Sequence, residues 1–140
     1  MPTTAAMLTP AFVLAFWTFL VLIRVAVVRI GAAQCGEIVP DDFCHGESER
    51  VPRHVSIPNR NYMNLLELPV LFYVVSLMVV VTRIASPAML GLAWAYVVLR
   101  LVHSLVHLTY NNVLHRLAVF AASNVVLLVL WLLAALALLG

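Results

Sequence analysis

Residues 60–82 read RNYMNLLELPVLFYVVSLMVVVT, and this stretch decides the fold. At about 1.5 Å of rise per residue it is long enough to cross the roughly 30 Å of hydrocarbon in a bilayer. Its charged groups, Arg60 and Glu67, both fall in its first third. The offsets from Arg60 to Asn64 and from Asn64 to Glu67 are four and three residues, which puts all three on one helical face. The remainder is apolar on every side, as a helix solvated by lipid requires.

Three further stretches have the same character, and the sequence predicts four spans at about 9–33, 60–82, 87–110 and 114–139 in a single membrane domain, 1–140. Thr9 with Pro10, and Ser86 with Pro87, read as N-cap and first helical residue of spans one and three. Asn111 and Asn112 favour a reversal before span four. No Lys or Arg precedes span one, which also exceeds the core of a signal peptide, so it is expected to be retained. Short second and third connections make spans two, three and four antiparallel neighbours. The predicted architecture is an all-α, antiparallel four-helix membrane bundle.

Composition agrees. Of 140 residues, 64% are apolar and 10% charged, too little polar surface to cover a water-soluble sphere of this size. That excludes a soluble enzyme and makes the lipid bilayer the solvent. The formal net charge of +2 is too small for nucleic-acid binding driven by counterion release. Cys35 and Cys44 lie in one polar loop without CxxC spacing and read as free thiols.

Arg29, Arg50, Arg53, Arg60 and Arg116 flank the first and third connections, whereas Arg83 alone flanks the second. The positive-inside rule then predicts that 34–59 and 111–115 are cytoplasmic and that the termini face the other side. The long connection 34–59, rich in acids and broken by Pro40, Pro52 and Pro58, reads as a solvated loop, either a lid over a cytoplasmic cavity or a plain connector.

Ionisable groups inside a span cost about 2.5–3.5 kcal/mol each on insertion scales, so they must face protein or water. Span three adds Arg100, His103, His107 and Tyr110, whose helical positions fall in one sector of about 100°. Because spans two and three are antiparallel, both stripes can line one cavity open to the cytoplasm, with Glu67 and His103 at similar depth. Two other readings stay open at this level. In one, these groups only tie the helices together, with Glu67 and Arg100 as a buried ion pair. In the other, His103 and His107 ligate a metal or haem, which needs ligands beyond this i, i+4 pair, Glu67 among the options; no metal is assigned on two histidines. Arg24 either joins the cavity or bridges to a neighbouring helix, Arg29 can snorkel to the interface, and Ser123 and Asn124 are expected to hydrogen-bond between helices.

These motifs resemble the MAPEG family, the membrane-associated proteins in eicosanoid and glutathione metabolism, in its bacterial form. Arg60 to Phe72 is similar to the family's R-x3-N-x2-E pattern followed by Pro and Phe. Arg100, His103 and His107 are similar to its R-x2-H/Y-x3-Y pattern, with Arg116 nine residues further on. The resemblance covers nearly the whole chain. It implies a homotrimer in a bacterial inner membrane, with glutathione as co-substrate bound between subunits near the cytoplasmic face and lipophilic electrophiles or hydroperoxides as second substrates. It assigns Arg60, Asn64, Glu67, Arg100, His103, His107 and Tyr110 to glutathione binding and Arg116 to catalysis. His107 stands where eicosanoid members carry Tyr, and Gln34 where an arginine is expected at the end of span one. The implied activity is a glutathione transferase or peroxidase; a non-catalytic member of the fold and a small proton-coupled transporter are the alternatives.

Overall fold

The computed structural model describes residues 2–140. Five α-helices follow in order, α1 (Thr4–Gln34), α2 (Arg53–Leu66), α3 (Pro69–Val81), α4 (Pro87–Leu108) and α5 (Val113–Leu139), with a short 3₁₀ helix over Pro40–Phe43 and no strand among the described residues. Since α2 and α3 are two parts of one span, four segments among the described residues are long and apolar enough to cross a membrane: Thr4–Gln34, Arg53–Val81, Pro87–Leu108 and Val113–Leu139. The protein is an all-α integral membrane bundle in which α4 packs most extensively on α5, and α1 on α2 and α4. Tyr96 and Phe72 stack at 4.7 Å between centroids in the core, beside Leu14, Val75 and Leu130.

Helix boundaries differ from the expectation in four places, three of them at prolines. The first span starts at Thr4, where the Thr3 hydroxyl accepts from the Ala6 N–H at 3.2 Å, and not at Thr9–Pro10. Pro10 lies inside α1, and the Thr9 hydroxyl donates back to the Ala5 carbonyl at 2.8 Å instead of capping. The second span begins at Arg53, seven residues before Arg60, and runs through Pro58. It then breaks at Glu67, whose ψ of −95° leaves the helical region. Pro69 has no N–H to offer the Leu65 carbonyl, so the i to i−4 ladder stops with Glu67 N–H to Met63 at 3.2 Å and resumes through the i to i−3 bonds of Val70 N–H to Glu67 at 3.3 Å and Leu71 N–H to Leu68 at 3.0 Å. Glu67 therefore sits at a break, free of a continuous helix wall. Span three opens as predicted, with Ser86 Oγ accepting from Met89 N–H at 3.2 Å, but it ends at Leu108.

The long connection is shorter and more ordered than a solvated loop. α1 closes with Glu37 N–H on the Ala32 carbonyl at 2.9 Å and Gly36 N–H on Ala33 at 3.1 Å, a Schellman end that needs the positive φ of Gly36, 72°. The segment then folds over a small core of Ala32, Ile38, Val51 and Val55 with Phe43 against it. Asp42 organises it by accepting from Val39 N–H and from the Ser48 hydroxyl, each at 2.9 Å. Those two bonds, with Arg50 nearby, hold the Asp42 carboxyl below its ordinary value of 3.8 against the opposing effect of burial. A depressed carboxylate contributes stability above its unfolded pKa and loses it as pH falls through the folded one. The ordering of residues 35–52 is therefore expected to be intact at neutral pH and to fail below about pH 4. Asp42→Ala should reproduce that loss at pH 7, seen as accelerated amide exchange at Val39 and Ser48; unchanged exchange in the variant would remove Asp42 from this role.

Both ends of the bundle are defined by contacts. The long connection and the 109–112 turn meet at one end, where Glu47, Ser48 and Val51 line a cavity with Tyr110 and Asn111. Thr4, Met7, Val79 and Arg83 meet at the other. Cys35 and Cys44 are free and exposed, as the sequence suggests.

Candidate functional site

Between α2, the last turn of α4 and the first turn of α5 lies a cavity of about 310 Å³, within the usual range for small-molecule sites. Arg60, Asn64 and Glu67 form one wall, in the register expected of their spacing, with His107 and Arg116 opposite. It shares Asn64 and Arg116 with a second cavity of about 220 Å³ that reaches His103 and then Val113, Leu117 and Phe120. It shares Arg60, Ile57 and Asn111 with a third of about 640 Å³ under the long connection. A polar path thus runs from the ordered loop to an apolar recess on the α4–α5 face.

Arg116 is placed by its turn. Asn112 caps α5, its side-chain oxygen accepting from the N–H groups of Leu114 at 3.0 Å and His115 at 3.2 Å. Asn111 takes a left-handed conformation, φ 47°, which Asn tolerates better than most residues. Its side-chain oxygen accepts from Arg116 Nη1 at 2.8 Å. That bond fixes the guanidinium in the first turn of α5, where the helix dipole also favours an anion. Sequence reading registered Asn111 only as a turn residue; a side-chain partner five residues on is not visible in spacing.

A second missed feature aligns the helices. Trp17 Nε1 of α1 and Asn61 Nδ2 of α2 both donate to Ser104 Oγ of α4, at 2.8 and 2.7 Å. Asn61 and Ser104 are fully buried. The three-helix knot stands next to Arg60 on one helix and His103 on another, so it sets the register between the two polar stripes.

Two predicted site residues stand elsewhere. Arg100 is fully buried and lines none of these cavities. Its Nε donates to Tyr96 Oη and its Nη2 to Asn124 Oδ1, both at 3.0 Å, with its carbon over the Tyr96 and Phe120 rings at 5.3 and 5.0 Å. It turns toward α5 and not toward Glu67, so the Glu67–Arg100 ion pair of the helix-tying alternative is not formed within the chain. Tyr110 lies beyond the end of α4, where the helical period no longer applies. It is exposed, its hydroxyl 3.1 Å from His115 Nδ1, and it lines only the outer cavity. Asn124 bridges helices as expected, whereas Ser123 bonds the Phe120 carbonyl of its own helix at 2.7 Å. Arg24 is exposed on the outside of α1 and borders none of the three cavities.

The chemistry of the inner cavity is that of an anion site with one acidic corner. Arg60 and Arg116 face a single carboxylate, Glu67, and Glu67 is in no ion pair; His54 of α2 with Glu37 of the loop, at 3.1 Å, is the only such contact among the described residues. His103 and His107 are buried, their rings edge-on at 5.9 Å, and Nδ1 of each is a buried atom without a hydrogen-bond partner. Buried polar atoms left unpaired in a protein beside a cavity point to a ligand or water as partner. Among the described residues no three His, Cys, Asp or Glu side chains gather as a metal site would require.

No curated protein and no solved structure matches this chain. The model of the MAPEG family matches residues 7–136, a range that contains every residue of the cavity just described. The chain belongs to the MAPEG family, a family of membrane proteins associated in general with glutathione-dependent transfer and peroxide chemistry.

Proposed function

We propose that this protein is a glutathione-dependent membrane transferase or peroxidase acting on lipophilic electrophiles or hydroperoxides. The observation that carries the reading is the inner cavity, which gathers Arg60, Asn64, Glu67, His107 and Arg116 around one space. Glutathione has two carboxylates, an ammonium and a thiol. Arginine forks match the carboxylates, and Glu67 matches the ammonium. Arg60 is assigned to a carboxylate, Asn64 and His107 to the peptide, and Arg116 to the sulfur. The recess of Val113, Leu117 and Phe120 beside Arg116 and His103 gives an apolar second substrate access from the bilayer.

In the reaction the thiol gives its proton to water, Arg116 and the N-terminal turn of α5 stabilise the thiolate, and the sulfur forms its bond to the electrophilic carbon as the leaving group departs with the electron pair of the bond it breaks. Glu67 and Arg60 are exposed in one protomer although they belong to a membrane span, so they are turned to water or to a neighbouring copy and not to lipid. That supports a homotrimer with glutathione between subunits. Arg100 and Tyr110 are supporting residues in this reading, Arg100 by fixing α4 to α5 and Tyr110 at the outer mouth. The distribution of arginine supports a cytoplasmic placement of the site end.

The test is thermal stability of the detergent-solubilised protein with glutathione and with an analogue lacking the thiol, beside conjugation of an aromatic halide. Stabilisation by both ligands and conjugation with glutathione alone are expected. Stabilisation without conjugation of any electrophile would make the protein a binding member of its family, and no stabilisation would remove glutathione.

A further inference from the structure

A separate crevice of about 250 Å³ lies on the outer side of the α1 end, between Arg29, Ile30 and Ala33 of α1 and Val39, Pro40 and Phe43 of the 3₁₀ turn. Every wall is apolar except for Arg29. The Arg29 guanidinium lies over the Phe43 ring at 4.5 Å, and its Nε is a buried atom with no hydrogen-bond partner. No carboxylate pairs with it among the described residues. The acids of the adjoining turn are engaged elsewhere, Asp42 by Val39 N–H and Ser48, and Asp41 Oδ1 near Cys44 Sγ at 3.8 Å. The crevice thus combines an apolar slot with a stacked cation that lacks a counter-ion.

Its position in the membrane says what would supply one. α1 has 31 residues. At about 1.5 Å each it is roughly 46 Å long and exceeds the hydrocarbon core by some ten residues. Arg29 stands five residues before Gln34, at the end of α1 that joins the ordered loop, which is head-group depth. From the crevice an exposed apolar strip of Ile30, Val27 and Ile23 runs down α1 toward the bilayer interior at spacings of three and four residues. A ligand that fits both parts has an anionic head and an aliphatic tail.

We propose that this crevice binds an anionic phospholipid, its phosphate on Arg29 and one acyl chain along Ile30, Val27 and Ile23. A phosphate supplies the counter-ion that the Arg29 guanidinium lacks, and the Phe43 ring keeps the cation oriented for it. A bound lipid would also clamp the 3₁₀ turn to α1 and so brace the loop whose Glu47, Ser48 and Val51 wall the outer cavity. The site is distinct from the glutathione cavity and independent of that assignment.

Delipidated protein titrated with phosphatidylglycerol or phosphatidylcholine of identical acyl chains, read by native mass spectrometry and by thermal shift, tests this. Phosphatidylglycerol is expected to bind about tenfold more tightly, because the choline ammonium of phosphatidylcholine offsets the headgroup charge that Arg29 would meet. Arg29→Gln should abolish that preference, while Arg50→Ala, which removes an exposed loop charge, should keep it. Equal binding of the two lipids by the unaltered protein, or an undiminished preference in Arg29→Gln, would overturn the proposal. Tighter binding of oleate than of phosphatidylglycerol would overturn it as well, by making the site one for free fatty acids.

Discussion

Arg116→Ala is expected to lower glutathione conjugation of an aromatic halide by about 100-fold at pH 7, in line with the 10²–10³ typically lost with one oxyanion-type donor. A free thiol has a pKa near 8.5, so only a few per cent is ionised at neutral pH. Bringing it to mostly thiolate takes about two pKa units, roughly 2.7 kcal/mol of preferential stabilisation. A guanidinium fixed by Asn111 at the first turn of α5 can supply this, because it needs no reorganisation when the charge forms. The rate of the variant should therefore recover as pH rises, its midpoint displaced upward from that of the unaltered protein. Affinity for the thiol-free analogue should hold, since that ligand does not use the thiolate contact. Asn111→Gly provides the finer test. Glycine accepts the φ of 47° at no steric cost, so the change deletes the contact to Arg116 and leaves the turn. A loss of about tenfold is expected, with an upward displacement about half as large, one hydrogen bond being worth about 1.4 kcal/mol or less. Full activity in Arg116→Ala would end Arg116's assignment to the sulfur.

What could be read in advance follows from how far each residue's effect travels along the chain. The convergence of Arg60, Asn64 and His107 on one cavity was legible because each stands within a continuous helix, where position around the axis is set by local period alone. The same reasoning failed at Tyr110 because α4 stops at Leu108 and the chain turns at Thr109. It also failed to separate Arg100 from His103. Both lie on one stripe, but the partners that draw Arg100 inward, Asn124 and Phe120, belong to another helix. The prolines show the complementary limit. Pro87 opens a helix as its type favours, yet Pro10 and Pro58 sit inside helices. In lipid, breaking a helix at a proline would expose more backbone than the one carbonyl it leaves unpaired. Only at Pro69 does the ladder yield, and the kink falls at Glu67. The Trp17–Asn61–Ser104 knot joins three separate helices and has no sequence signature.

Glu67→Gln and Arg60→Ala should each weaken glutathione binding by about 10- to 100-fold, the 1.5–3 kcal/mol of a hydrogen bond to a charged group. The readout is ligand stabilisation, which grows as RT ln(1 + [L]/Kd). Glutathione at 100 times its dissociation constant should stabilise the unaltered protein by about 2.7 kcal/mol, and the variants by about 0.4 to 1.4 kcal/mol at the same concentration. Neither substitution threatens the bundle, because both side chains are exposed in the protomer and Glu67 lies where the helix is already broken. Glu67→Gln keeps the shape and removes only the charge, so its loss must come from the partner of that charge. N-acetylglutathione, which lacks the ammonium, identifies the partner. If Glu67 holds the ammonium, acetylation should weaken binding to the unaltered protein and change little in Glu67→Gln, the two losses overlapping and not adding. If the losses add, Glu67 acts on binding through a partner other than the ammonium, and its assignment fails.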